Sequence, residues 1–177
     1  MRKLLCIAVA LVMLAGIQAC NNSRKSRNYN DKTPVDAAGA SFIKDAVEAS
    51  IAAVKLSKLA ERNSQNKEVT DLAKTMVKDH QEMTSILKKI ADNKKINTSD
   101  SINFDHQKLI TGLTKKTGAA FDREYIQITV NDHDMVIKMY KDASANSDAD
   151  IQKIAASTLP RLEEHMKKAN ALCSQLK

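Results

Sequence analysis

The 177-residue sequence predicts an all-α fold. Three observations lead there. Four Gly and two Pro are too few for a turn-hungry β-sandwich or barrel. Apolar residues recur at three- and four-residue spacing through four long segments, and no segment of useful length alternates with period two. The segments are joined by two short links and one long one, which restricts how the helices can be arranged. Three Phe, three Tyr and no Trp leave the core to aliphatic residues, Ala and Met.

Thr33-Pro34-Val35-Asp36 reads as an N-cap, Pro at the first helical position and an acid in the first turn, so the first long helix is expected over residues 34–62. Its apolar face is wide: Ile43, Val47, Ile51 and Val54 form one stripe, and Phe42, Ala46, Ala49, Ala53 and Leu56 an adjoining one. Asn63-Ser64-Gln65-Asn66 breaks it. The second helix, residues 67–93, carries Val69, Leu72, Met76, His80, Met83, Leu87 and Ile90 at strict three–four spacing. The third is expected over 118–145, with Phe121, Tyr125, Ile128, Met135 and Met139 on one face and Ile126, Val130, His133 and Ile137 on a second edge. Ser147 followed by Asp150 suggests a capping-box-like start for the fourth, residues 148–176, which presents Ile151, Ala155, Leu162, His165, Ala169 and Leu172. Pro160 lies inside this helix and predicts a kink, because it removes a backbone donor and crowds the carbonyl of Ala156.

The short links at 63–66 and 145–147 make two antiparallel hairpins. Residues 94–117 separate them, and Ile102, Leu109, Ile110 and Leu113 suggest a short amphipathic helix within that stretch. A 28-residue helix is about 42 Å long, and the connection can travel that distance. The expected architecture is therefore a ferritin-like four-helix bundle with a long crossover, carrying a short helix, between its second and third helices.

The N-terminus reads as an address. Met1-Arg2-Lys3 is a positive n-region, Leu4 to Ala15 an apolar run too short to span a bilayer, and Ile17-Gln18-Ala19-Cys20 resembles a lipoprotein cleavage box despite the bulky Gln18. Residues 1–19 are expected to be a signal peptide, Cys20 the lipidated N-terminus, residues 20–33 a polar tether, and residues 34–177 the bundle domain. Acyl chains on Cys20 would hold the protein to a membrane. Asn21, rather than Asp, after Cys20 favours the outer membrane, with the bundle facing the periplasm. Without residues 1–19 the formal charge falls from +7 to 26 − 21 = +5. Cys6 leaves with the signal and Cys20 carries lipid, so Cys173 has no intramolecular disulfide partner and is expected to be a small buried residue. The Lys pairs are dispersed and lack interleaved aromatics, which with an export signal argues against nucleic-acid binding.

Four His are present, and His80, His133 and His165 each fall near the middle of a different long helix. Mid-helix positions stay level whichever way helices run, so the three imidazoles can converge in the bundle centre. They are either core residues satisfied by Tyr, Asp or backbone partners, or ligands for a single Zn, Fe or Cu ion. Asp79, Asp132, Tyr125, Met76 and Met83 are the possible neighbours of such a site. Di-iron bundles supply Glu-x-x-His from two helices; here Val77, Val130 and Leu162 stand three residues before the His, so no di-iron motif exists. No phosphate-cradling Gly loop, nucleophile elbow or Cys-x-x-Cys is present.

Several stretches occur in an order that resembles one family: Phe42-Ile43, Lys58-Leu59-Ala60, Met76-Val77-Lys78-Asp79-His80, Gly118 through Tyr125, Asp132-His133, and Leu159-Pro160 followed by His165. They are similar to the exported bacterial family called domain of unknown function 4142, over about residues 38–174. The resemblance implies a ferritin-like helical bundle in the periplasm or at the outer membrane, with no established activity. The family commonly carries a Glu late in the first helix; here Ala53 stands in its place, and Glu48 points away from the apolar face. The sequence therefore leads first to a lipid-anchored, non-catalytic binding or structural module of the cell envelope, with a membrane and an envelope protein as partners. The alternative is a metal-binding or metal-dependent redox protein using the mid-bundle His.

Overall fold

The structure, a computed structural model, describes residues 35–176. The expected signal peptide, Cys20, the tether and the Thr33-Pro34 helix start lie outside them. The described residues form five helices and no strand: α1 (Ala37–Asn63), α2 (Lys67–Lys94), α3 (Phe104–Leu113), α4 (Gly118–Ala143) and α5 (Ala149–Gln175). The short helix expected in the crossover is α3.

Two helix starts differ from expectation, for one reason. α1 is capped by Asp36, whose Oδ1 accepts from the Gly39 backbone N–H at 2.6 Å. Asp36 is also held by the Asn146 side-chain amide at 3.1 Å, a partner 110 residues away. α5 is capped by Asp148 rather than Ser147. Asp148 Oδ1 accepts from the backbone N–H of Asp150 and Ile151, while its Oδ2 pairs with Lys94 Nζ at 2.6 Å. Ser147 donates instead to Asp36. A carboxylate serves both the helix N-terminus and a remote partner, which one hydroxyl does less well. Gly39 is needed where α1 meets α5: a Cβ there would lie 2.5 Å from Ile151 Cδ1. At the other end of α2, Lys95 takes a left-handed conformation (φ 56°), and its N–H together with that of Ile96 satisfies carbonyls of the last turn. α5 continues through Pro160.

The main contacts join α1 to α2, α4 to α5, α1 to α4 and α2 to α5. Chain direction follows from two core clusters. One gathers Phe42 and Val47 from the start of α1, Leu87 and Ala91 from the end of α2, Tyr140 from the end of α4 and Ile151 from the start of α5. The other gathers Leu56 and Ala60, Val69 and Leu72, Phe121 and Tyr125, and Ala169 and Leu172 from the opposite ends. Thus α1 is antiparallel to α2, α4 is antiparallel to α5, and α2 and α4 run the same way. The crossover returns the chain along the bundle's length, and α3 rests on α1 and α4 as it does so. No helix among the described residues is long and apolar enough to cross a membrane.

Candidate metal centre

Between the two apolar clusters lies a polar one. His80 of α2, His133 of α4 and His165 of α5 are 3%, 3% and 1% exposed. Their ring centroids are 5.5 to 5.6 Å apart, and one nitrogen from each falls within 4.8 Å of the other two. Each His replaces an apolar residue on its helix's core face near mid-helix, and that register sets the three at one depth.

Partners outside the cluster orient two of the rings. His133 Nδ1 donates to the Thr129 carbonyl at 2.9 Å, one turn earlier on α4. His165 Nε2 donates to Asp79 Oδ2 at 2.9 Å, a carboxylate on α2. These bonds fix the tautomers and leave His133 Nε2 and His165 Nδ1 as lone-pair acceptors with no protein partner. Neither nitrogen of His80 has a protein partner. Burial of the rings pushes all three toward the neutral form. His133 is lowered to about 4 by burial and the nearby His165, against the opposing bond to Thr129. His80 is lowered well below its ordinary value by burial and by the adjacent charges of His133, His165 and Arg161. His165 is lowered by burial, which Asp79 partly offsets. Three neutral imidazoles facing one another are the protonation state that a metal ion requires.

A cavity of about 260 Å³ reaches this cluster from the surface. Buried His80, His133 and Met76 line it, as do exposed Asp45, Asn103 and Met135. His106 of α3 also lines it, and Glu48 Oε1 binds both His106 Nδ1 and the Asn103 backbone N–H, each at 2.8 Å. Asp132 Oδ2 faces the other ring nitrogen of His106 at 3.7 Å. Burial holds the Asp132 carboxyl above its ordinary value; His106 opposes the shift and Glu48 adds to it.

Sequence reasoning placed His80, His133 and His165 together, and they are together. Asp79 joins them through His165. Met76 lines the cavity beside His80 and His133, whereas Met83 packs in the apolar cluster at the other side of the His level. Asp132 turns to His106 instead of the three His, although it adjoins His133 in sequence. Tyr125 packs in the second apolar cluster, and its hydroxyl bonds Ser57 at 3.0 Å. The expectation that Glu48 points away is corrected: a helical wheel of α1 alone gives it a solvent face, but α3 covers that face. Glu48 and His106 were missed as a pair for that reason, and the signal available was a His in a crossover long enough to lie along the bundle. Cys173 is half-buried, not fully buried, with its thiol 3.7 Å from Gln127 Oε1.

Fold and site together define an all-helical bundle with a buried three-histidine cluster at the foot of a surface cavity. The chain belongs to the family described as domain of unknown function (DUF4142), whose model matches residues 25–172. Among solved structures it is similar to a DUF305 fragment from Deinococcus radiodurans, with a TM-score of 0.72 at 12% identity, covering 80% of this chain and 99% of that one. At that identity the likeness concerns the fold alone. No curated protein matches the chain.

Proposed function

We propose that the protein is a metal-binding, ferritin-like four-helix bundle, held at the outer membrane through lipidated Cys20 and facing the periplasm. The observation that carries the metal reading is the set of orphaned nitrogens. Four of the six buried side-chain polar atoms without a hydrogen-bond partner among the described residues belong to His80, His133 and His165. An unsatisfied buried polar atom costs about 1–3 kcal/mol, and one ion bonded to all three rings would remove most of that cost.

Zn–N bonds of about 2.0–2.1 Å in a tetrahedral arrangement put ligand nitrogens about 3.4 Å apart. From a spacing within 4.8 Å, each nitrogen need move inward by no more than roughly 0.8 Å to reach it. Three neutral nitrogens with no carboxylate suit Zn²⁺ or copper better than iron, which favours a carboxylate in such sites. Asp79 acts behind His165, raising its basicity, and Thr129 does the same for His133. No Glu-x-x-His pair is available for a second ion, so the centre is mononuclear.

The lipoprotein reading rests on the n-region, the short apolar run and Ala19-Cys20. It leaves the envelope-module role in place, with the membrane as partner and the metal as cargo or cofactor. The protein is incubated with Zn²⁺, Cu⁺, Fe²⁺ and Mn²⁺, desalted and assayed for metal. About one equivalent of Zn²⁺ or copper is expected, and none in the His80→Ala, His165→Ala double variant. No retained metal, or equal retention by the double variant, refutes the reading.

A further inference from the structure

Resting on the metal reading, we infer that the ion's fourth coordination position opens into the 260 Å³ cavity and takes a small, neutral Lewis base in exchange with water. The centre is then a reactive or sensing site, not a sealed structural one.

Three features of the cavity argue for this. Its lining includes His80 and His133 but not His165, so the cavity meets the cluster from one side. Three protein ligands leave an open position, the arrangement of catalytic sites; structural sites close with a fourth protein ligand, and the one cluster of potential metal ligands among the described residues contains these three His alone. His80 is 3% exposed and has two nitrogens without a protein partner. One metal bond uses one of them, and the second, the N–H of the neutral ring, is left to donate to water in the cavity.

The walls and mouth define the class of that molecule. Ala49 and Ala53 of α1 leave the space that larger side chains would fill. The volume sits just below the roughly 300–1,000 Å³ of pockets for drug-sized ligands, which fits something smaller. Asp45, Glu48 and Asp132 surround a mouth whose lining holds no Lys or Arg, and where His106 is already paired with Glu48. That balance disfavours an anion, while the ion at the foot of the cavity disfavours a cation. A neutral amine or azole satisfies both ends.

The test uses Co²⁺ as a spectroscopic substitute for Zn²⁺ and imidazole as the probe. The purified protein is loaded with Co²⁺ and desalted, and its visible bands are followed as imidazole is added. Saturable change in the bands with Co²⁺ retained is expected. Ala53→Phe, which narrows the cavity and replaces none of the three His, should keep Co²⁺ and weaken imidazole binding at least tenfold. Ala49→Leu is the smaller substitution to use if circular dichroism shows that Ala53→Phe has lost its helices. Bands indifferent to imidazole while Co²⁺ stays bound overturn the inference and leave the metal reading standing, as does an unchanged imidazole affinity in the filled variant. Failure to retain Co²⁺ together with failure to retain Zn²⁺ or copper overturns both.

Discussion

Lowering the pH should destabilise the metal-free protein over a defined window, and His133 supplies a magnitude. Its folded value is about 4, against an ordinary 6.5. Because the folded-state value is depressed, the unfolded chain binds the proton first as pH falls. Stability is therefore complete above about pH 6.5, declines between 6.5 and 4, and changes no further on this account below 4. The whole shift corresponds to about 3 kcal/mol at 1.36 kcal/mol per pH unit. Between pH 7 and pH 5 the linkage relation gives a loss of about 2 kcal/mol from His133 alone, or roughly 6–10 °C in Tm for a domain of this size. His80 and His165 are shifted the same way and add to the loss. The measurement is urea unfolding of the chelator-treated protein at pH 7, 6 and 5, beside His133→Leu. The variant lacks the imidazole at position 133, so its pH dependence should be shallower by about 2 kcal/mol over that interval. An equally steep dependence in the variant would refute the contribution assigned to His133. Zn²⁺ at a thousandfold excess over its Kd should add about 4 kcal/mol at pH 7.

Further outcomes are expected of single substitutions. Asp79→Ala removes the acceptor behind His165 and should weaken metal binding about 10–100-fold with the helical content unchanged; competition with a chromophoric chelator reads this. Tyr140→Phe removes a buried hydroxyl that has no hydrogen-bond partner and should raise unfolding stability by about 1 kcal/mol, whereas Tyr125→Phe loses the Ser57 bond and should lower it by about as much. Lys94→Met breaks the pairs to Asp148 and Asp150 that tie the end of α2 to the cap of α5, and should cost about 1 kcal/mol in urea unfolding. Cys20→Ala should move the protein from the membrane to the soluble fraction of fractionated cells; continued membrane attachment counts against the lipid anchor.

How much of this was legible in the sequence depends on how far each signal travels along the chain. The core faces were legible because three–four spacing is local: Val69, Leu72, Met76, Met83 and Leu87 mark the inner stripe of α2, and all are buried. The parallel run of α2 and α4 was allowed by two short links and one long one, but link length alone did not require it. The caps at Asp36 and Asp148 were not legible, since what favours each over a neighbouring hydroxyl is a partner far off in the chain, Asn146 for one and Lys94 for the other. Glu48 was misjudged for the same reason, its covering element being a ten-residue helix 55 residues on.

The three His occupy a middle ground between these cases. Their inward direction and common depth were local properties, but whether they were core residues or ligands depended on partners that the sequence does not name. The core reading accounts for part of what the structure shows. His133 has a backbone partner and His165 a carboxylate, as core histidines would, yet each uses only one ring nitrogen and leaves the other without a protein partner beside two further buried imidazoles. On the proposed metal reading, Thr129 and Asp79 orient the rings as well as satisfying one nitrogen of each. A purely structural imidazole gains nothing from a partner that aims its remaining lone pair at two other buried imidazoles, because that arrangement makes every protonated form costly. Both apolar clusters pack closely on either side without supplying a donor to those nitrogens. On the proposed metal reading, buried imidazoles that keep unpartnered nitrogens close together are stable in proportion to what binds there, and a cation is the species that would satisfy three of them at once.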